Sequence, residues 1–253
     1  MGVLQNNPVV EDIAWALAFG TISDGTTISG RAQGYTATSA TTGKAIRATT
    51  YTPQGANAQR SVSSSNAADS SAGTGAQQIT INYLDASVAL HSEIVTMNGT
   101  TAVNTVGTNY AFIENMIVSQ VGTQGGGNTG AISLFTATAG GGTAWASIAA
   151  SDGMTFYAHH YVPAGVSCYL LSMTCGGTIV AGQTNLNHSG NPTSTNSPQL
   201  QIGMTLVHLA GSSFDHDFEV PLALPGPDLV WLVERPTAAT ASTAVAGFEY
   251  VQG

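Results

Sequence analysis

Gln78-Ile-Thr-Ile-Asn-Tyr83, then Ser92-Glu-Ile-Val-Thr-Met-Asn-Gly99 and the run on to Thr105, decide the fold. Ile79, Ile81 and Tyr83 alternate with polar residues, the period of a strand with one buried face. Asn98-Gly99 sits between two β-prone runs and tolerates positive φ, so a hairpin is expected there. Tyr110 to Val121 reads as a longer strand. Phe112, Met116 and Val118 alternate with Ile113, Ile117 and Val121, which predicts burial on both faces. Gly125-Gly-Gly127 and Gly140-Gly-Gly142 bracket Ala131 to Thr136 as flexible loops. Short β-prone stretches follow at Trp145 to Ile148, Thr155 to Val162, Ser167 to Thr174 and Thr178 to Ala181. A polar loop, Asn185 to Pro198, precedes Gln199 to Leu209, Phe214 to Val220, Leu229 to Glu234 and Ala244 to Tyr250. Val162-Pro-Ala-Gly165 sets a turn. About a dozen strands with closely spaced turn signals predict an all-β fold, an antiparallel β-sandwich of jelly-roll type. No repeat of the length used by solenoids or propellers is present.

Upstream of this region the character changes. Residues 8–20 form the one helix candidate: Pro8 suits a first turn, Glu11 and Asp12 complement the positive end of the dipole, and Gly20 closes it. Val10, Ile13, Ala14 and Leu17 give an apolar stripe that packs on its own domain or docks on a neighbouring subunit. From Ser23 to Gly75 the chain is rich in Ser, Thr, Gly and Ala, with isolated apolar residues at Ile28, Tyr35, Ile46, Tyr51 and Val62. Ser61 to Gly75 reads either as a linker or as an edge strand followed by a turn. The expected organisation is therefore residues 1–75, a short N-terminal helix and an irregular arm, followed by residues 76–253, the β-sandwich.

Charge is scarce. Only 8% of the 253 residues are charged, against roughly 25% in an ordinary domain, while 43% are hydrophobic. A free monomer relies on surface charge to stay soluble and apart from its neighbours, so a neutral skin implies a surface covered by partners. The net charge is −9, and the cations are Arg31, Lys44, Arg47, Arg60 and Arg235. They read as scattered surface charges, and no basic stripe exists to meet a nucleic acid. No apolar stretch reaches the ~18 residues of a membrane helix. Met1 to Pro8 lacks the features of a signal peptide, and folding in a cytoplasm is expected.

The chemistry-bearing residues point to no active site. His159-His160 are strand neighbours facing opposite ways, which prevents their sharing a metal without a bulge. Asp215, Asp217 and Glu219 share one face of a strand; they read as its wet side, with a hard cation such as Ca²⁺ as the competing use. Cys168 and Cys175, seven positions apart on one strand, fall on opposite faces ~23 Å apart, too far for a disulfide, and both read as buried hydrophobes. Trp231 lies in an apolar run and reads as core. Trp145, beside Gly140 to Gly142, is the one tryptophan placed to stack on a sugar ring. No nucleophile elbow, HExxH, Walker loop or CxxC motif occurs, and no cofactor is expected.

Ser63-Ser-Ser-Asn-Ala-Ala-Asp-Ser-Ser-Ala-Gly-Thr-Gly-Ala76 runs into the strand Ile79 to Tyr83, then Leu84-Asp-Ala86 and Glu93-Ile-Val-Thr-Met-Asn-Gly-Thr-Thr-Ala-Val103. This order resembles a β-rich domain of virion structural proteins in tailed bacteriophages, and Val162 to Gly165, Tyr169-Leu170, Asp228 to Trp231 and Gly247 to Glu249 are similar to its later half. Gln77 stands where that pattern usually has Arg. The resemblance implies a non-enzymatic building block of a virus particle. A capsid cement or decoration protein fits best, binding the major capsid protein and other copies of itself as a homotrimer. Its partners would include neither nucleic acid nor membrane. Val9, Ile13, Trp15 and Leu17 are the expected partner contacts. A tail, fibre or adaptor component gripping host glycans through Gly140 to Trp145 and Asn185 to Pro198 is the alternative.

Overall fold

Alternating β-branched and aromatic residues between glycine-rich turns bury their apolar faces in paired strands. The computed structural model describes residues 28–38, 44–45, 56–178, 182–189, 200–208, 213–236 and 242–252. The helix candidate at 8–20, with Val9, Ile13, Trp15 and Leu17, lies outside the described residues, as does 190–198 of the expected loop. In chain order the strands are β1 (Ile28–Thr38), β2 (Lys44–Ala45), β3 (Ser61–Ser64), β4 (Ala76–Leu84), β5 (Leu90–Thr96), β6 (Val103–Asn104), β7 (Phe112–Val121) and β8 (Ile132–Phe135). They continue with β9 (Ala144–Ile148), β10 (His159–Val162), β11 (Ser167–Thr178), β12 (Gly182–Ser189), β13 (Leu200–His208), β14 (Phe214–Pro225), β15 (Asp228–Pro236) and β16 (Ser242–Gln252). Every pairing among them is antiparallel.

Two compact units form. One comprises Met1–Ile46, Ala158–Gly190 and Leu200–Gly253; the other comprises Arg47–Tyr157 and Asn191–Gln199. The first holds the sheets β1-β16-β11-β14 and β10-β15-β12-β13, with β2 added beside β15. Setting β2 aside and counting β1 and β10 to β16 as strands one to eight, these orders become 1-8-3-6 and 2-7-4-5. First beside last and second beside seventh is the double Greek key of a jelly roll. The all-β antiparallel sandwich expected from the sequence is thus the fold. Residues 28–38, read as part of the arm, are the first jelly-roll strand, paired with β16 from Ile28↔Gln252 to Thr38↔Ser242. In sequence, the Arg47–Tyr157 part of the second unit is inserted between the first and second jelly-roll strands, and the position 75/76 boundary falls inside it. Asn185 to Ser189, read as loop, belong to β12.

The jelly-roll core gathers Val162, Leu170, Met173, Leu186, Val230 and Phe248, among others, and both cysteines. Simple alternation places Cys168 and Cys175 on opposite faces. Instead the register slips between Leu170 and Ser172, and this bulge reverses the parity of everything after it. Cys168 and Leu170 precede the bulge, Met173 and Cys175 follow it, and all four point into one core. Both cysteines are buried, and neither is in a disulfide.

The inserted unit contains the sheets β6-β3-β8-β9 and β5-β4-β7. Ile79, Ile81 and Tyr83 are buried as the alternation predicts. The hairpin does not form at Asn98-Gly99: β5 pairs with β4 while β6 pairs with β3. Asn98-Gly99 instead carries the chain from one sheet to the other. Gly99 has φ +61°, a conformation cheap only for glycine. The real hairpin joins β4 to β5, where Asp85 Oδ1 accepts from the amides of Ser87 and Ala89 at 2.8 and 3.0 Å. Strand β7 is buried on both sides only in its first half; Ile117 and Val121 are exposed.

Asp69 joins these pieces. Its side chain is fully buried. Oδ1 accepts from the amides of Ala76 and Thr129, each at 2.8 Å. Oδ2 accepts from the Ser64 hydroxyl at 2.6 Å and the Gly130 amide at 2.8 Å. Its backbone carbonyl accepts from Gly99 N–H at 2.7 Å. One residue thereby ties the end of β3, the start of β4, the approach to β8 and the crossover after β5. A Cβ on Gly75 would collide with Asp69 Oδ1 and Thr129 Oγ1, so the Ala-Gly-Thr-Gly run is set by close approach. The serine-rich stretch 61–75 is therefore neither linker nor edge: β3 lies between β6 and β8, and the turn wraps a carboxylate.

Burial alone would raise the Asp69 pKa, but the hydrogen bonds from Ser64, Thr129, Gly130 and Ala76 outweigh it and hold the carboxyl below the ordinary aspartate value. The folded chain thus binds this proton less tightly than the unfolded chain. The stabilisation is complete above the unfolded value of ~3.9 and is lost as pH falls below it toward the folded value. Asp69→Asn removes the charge and sets an amide donor among donors, at an expected cost of about 2–4 kcal/mol. Thermal melts should show that loss at neutral pH and a weaker acid dependence from about pH 5 to about pH 3. A variant that melts like the wild type at both pH values would contradict the assignment.

Candidate partner-binding surface

Arg60, read as a surface charge, and Trp145, the tryptophan placed to stack on a sugar ring, are both interior. Trp145 is 2% exposed and Arg60 4%. The guanidinium lies over the indole at 4.7 Å. It donates through Nη2 to the Tyr110 carbonyl at 3.0 Å and through Nη1 to the Thr136 carbonyl. A buried cation needs such acceptors, and the aromatic face adds an attractive quadrupole. The glycine triad beside Trp145 is tied down as well: Gly140 N–H donates to Ser61 Oγ at 2.8 Å, and that hydroxyl donates to the Ala137 carbonyl at 2.7 Å. Trp145 therefore offers no open platform to a sugar. Trp231 is buried, as its apolar run predicts.

A polar cluster occupies the inner face where β4 and β5 meet the loop 105–110. Glu93 accepts from the amides of Val106 and Gly107 at 2.6 and 2.9 Å and from the Tyr110 hydroxyl at 2.9 Å. Tyr83 stacks on Tyr110 at 3.6 Å and donates to Asn109 Oδ1 at 3.1 Å. His91 Nε2 lies 3.0 Å from Asp85 Oδ2. Burial pushes the Tyr110 hydroxyl far up, helped by its bond to Glu93 and the charge beside it; burial, then Glu93 and Asp85, raise Tyr83. Both phenols stay protonated and Glu93 spends both oxygens on loop donors. The cluster fixes the loop.

In the jelly roll, His159 is buried, while His160 is half-buried, stacked on Tyr250 at 3.9 Å with Nε2 2.7 Å from Gln252 Oε1. Asp215 and Asp217 are exposed, as is Glu249. Registers Ser172↔Asp217 and Ser172↔Glu249 set two of these acids in one row across the sheet. The side chain of Glu219 lies outside the described residues. Among the described residues, no three His, Cys, Asp or Glu side chains gather as a metal would require. This face is an acidic, solvated one.

The sheet β5-β4-β7 presents the opposite. Register aligns Ile94↔Thr80↔Ile117, and a bridge adds Met154 beside Ile117. Paired residues of adjacent strands share a face, so these four form one row, with Ile94 62%, Ile117 36% and Met154 38% exposed. Flanking rows are Ser92↔Asn82↔Asn115 and Thr96↔Gln78↔Gln120. Asn82 donates to Asn115 at 2.8 Å and Gln120 to Gln77 at 3.0 Å. None of these residues is ionisable. Sequence reading missed this face because Glu93 and His91, the residues that look like surface, point inward, while Ile94 points out.

No family model matches the chain, and no curated protein does. Among solved structures, the chain is similar to one titled "Structure of infectious bursal disease virus Gx strain", at 9% identity and a TM-score of 0.20, covering 90% of this chain and 80% of that one. A likeness that slight carries no argument.

The buried Trp145 makes a direct expectation. Trp145→Ala removes a fully packed indole and uncovers a buried guanidinium, with an expected loss of about 3–5 kcal/mol in chemical denaturation. A loss below about 1 kcal/mol would mean the indole is not packed as described.

Proposed function

We propose that this chain is a non-enzymatic structural protein of a tailed-phage particle, a cement or decoration protein that binds the assembled head through the major capsid protein. The observation that carries this reading is the shortage of charge, 8% of residues, joined to a described sheet face that has none. Interfaces are depleted in charge at their centres. Neutral amides and hydroxyls exchange water for partner hydrogen bonds without the desolvation cost of ions. The motif around Asp69 supports the resemblance: its Ser, Asp and Gly positions are those the buried carboxylate uses. Many individually weak contacts, repeated over a shell, hold such a protein by avidity. On this reading the protein is made in the host cytoplasm and resides in the virion. The competing reading, a glycan-gripping tail or fibre component, loses the stacking platform it relied on, since Trp145 is covered by Arg60.

Residues 1–22 carry the apolar stripe assigned to contacts. Deleting them should leave a folded β-protein by circular dichroism that no longer decorates heads lacking the native protein. Wild-type occupancy by the shortened chain would overturn the role of that segment, and failure of the full chain to bind heads would overturn the function.

A further inference from the structure

We propose that Asn98 is a site of self-modification, its side-chain amide converted to a carboxylate by the Gly99 backbone nitrogen, and that the closed Asp69 clasp keeps it silent. This chemistry stands apart from any partner or particle.

Asn98-Gly99 is the only Asn-Gly step in the chain. Glycine after asparagine leaves the next backbone nitrogen freest to reach the side chain, since no Cβ restricts the approach. The step balances with water alone. The Gly99 nitrogen gives its proton to hydroxide and attacks Asn98 Cγ. A C–N bond forms, the Cγ–Nδ2 bond breaks, and ammonia leaves. Water then opens the cyclic imide at either carbonyl, leaving aspartate or isoaspartate at position 98.

The structure exposes one reactant and locks the other. Asn98 is exposed, while Gly99 is buried. Gly99 N–H donates to the Asp69 carbonyl at 2.7 Å, so the proton that must leave is held in a hydrogen bond away from water. Packing fixes the Gly99 φ of +61°: a Cβ there would lie 3.0 Å from Ala67 Cα. The same contact keeps larger residues out, so the reactive pair is built into the crossover. The flanks are pinned as well. The Asn98 carbonyl accepts from Thr101 N–H at 3.1 Å and the Met97 carbonyl from Ser71 N–H at 2.9 Å. The nitrogen swings onto Cγ only when this segment opens, and the rate follows the open population. Isoaspartate adds a methylene to the main chain at the crossover, which shifts Gly99 out of register with Asp69. Reaction thus leaves a lasting mark of opening.

The test is peptide mapping of the full chain after incubation in mildly alkaline buffer, folded and in urea, with conversion at Asn98 followed by mass and by isoaspartyl methylation. Folded wild type should react at Asn98 at least about tenfold more slowly than the chain in urea. Asp69→Asn should raise the folded rate at least about tenfold. Ser64→Ala removes one of the four hydrogen bonds to the Asp69 carboxylate; it should spare the fold and raise the rate less. Val230→Ala, in the jelly-roll core, should leave the rate unchanged. Wild type that reacts as fast folded as in urea overturns the proposal, as does a rate that neither clasp variant changes. Equal acceleration by Val230→Ala would make general loosening the gate in place of the clasp, and overturns it too.

Discussion

Four hydrogen bonds to one buried carboxylate hold the inserted unit together. Asp69 takes donors from the end of β3, the start of β4 and the approach to β8, and its own carbonyl receives the crossover glycine after β5. The two sheets of that unit, β6-β3-β8-β9 and β5-β4-β7, are thereby tied at one point. An isolated buried charge is costly; here the oxygens are saturated with donors, and the ionised form is the stable one. Burying this acid, clasping Glu93 to a loop and enclosing Arg60 beneath a tryptophan remove ionised groups from the surface of an already charge-poor chain.

That removal gives the two units different exteriors. The jelly roll keeps exposed acids on strands β14 and β16, the usual provision for facing water. The β5-β4-β7 sheet exposes amides, hydroxyls and the apolar side chains of Leu90, Ile94, Ile117 and Val121. Small neutral groups hydrogen-bond as readily to a partner as to water, and they lose little on being dried where the partner remakes those bonds. A surface of that kind is poor at keeping molecules apart and good at letting them pack.

Much of the architecture was legible in the residues. Ile79, Ile81 and Tyr83 announced a half-buried strand through period two alone, and the spacing of turn signals announced an antiparallel sandwich. The chain connectivity was not legible, because the first jelly-roll strand, Ile28–Thr38, is Gly-, Ala- and Thr-rich and lacks an apolar alternation strong enough to mark it. The Asn98-Gly99 hairpin failed because local turn chemistry fixes a bend and not which strand lies beyond it; Asp69 and Ala67 pack against that bend and redirect it. The cysteine parity failed because one bulge reverses a whole strand. Arg60 was misplaced for a related reason: a lone cation in a polar stretch looks like surface, and the partners that hold it inside, Trp145 and the Tyr110 carbonyl, lie far away in sequence.

On the proposed function, the uncharged sheet face is covered in the assembled particle and the acidic face stays wet. Oxidative side-chain footprinting of the protein, dilute and then assembled, tests this most directly. Ile94, Ile117 and Met154 should lose labelling on assembly while Val245 keeps it. Protection of Val245 with Ile94, Ile117 and Met154 labelled as before would contradict it.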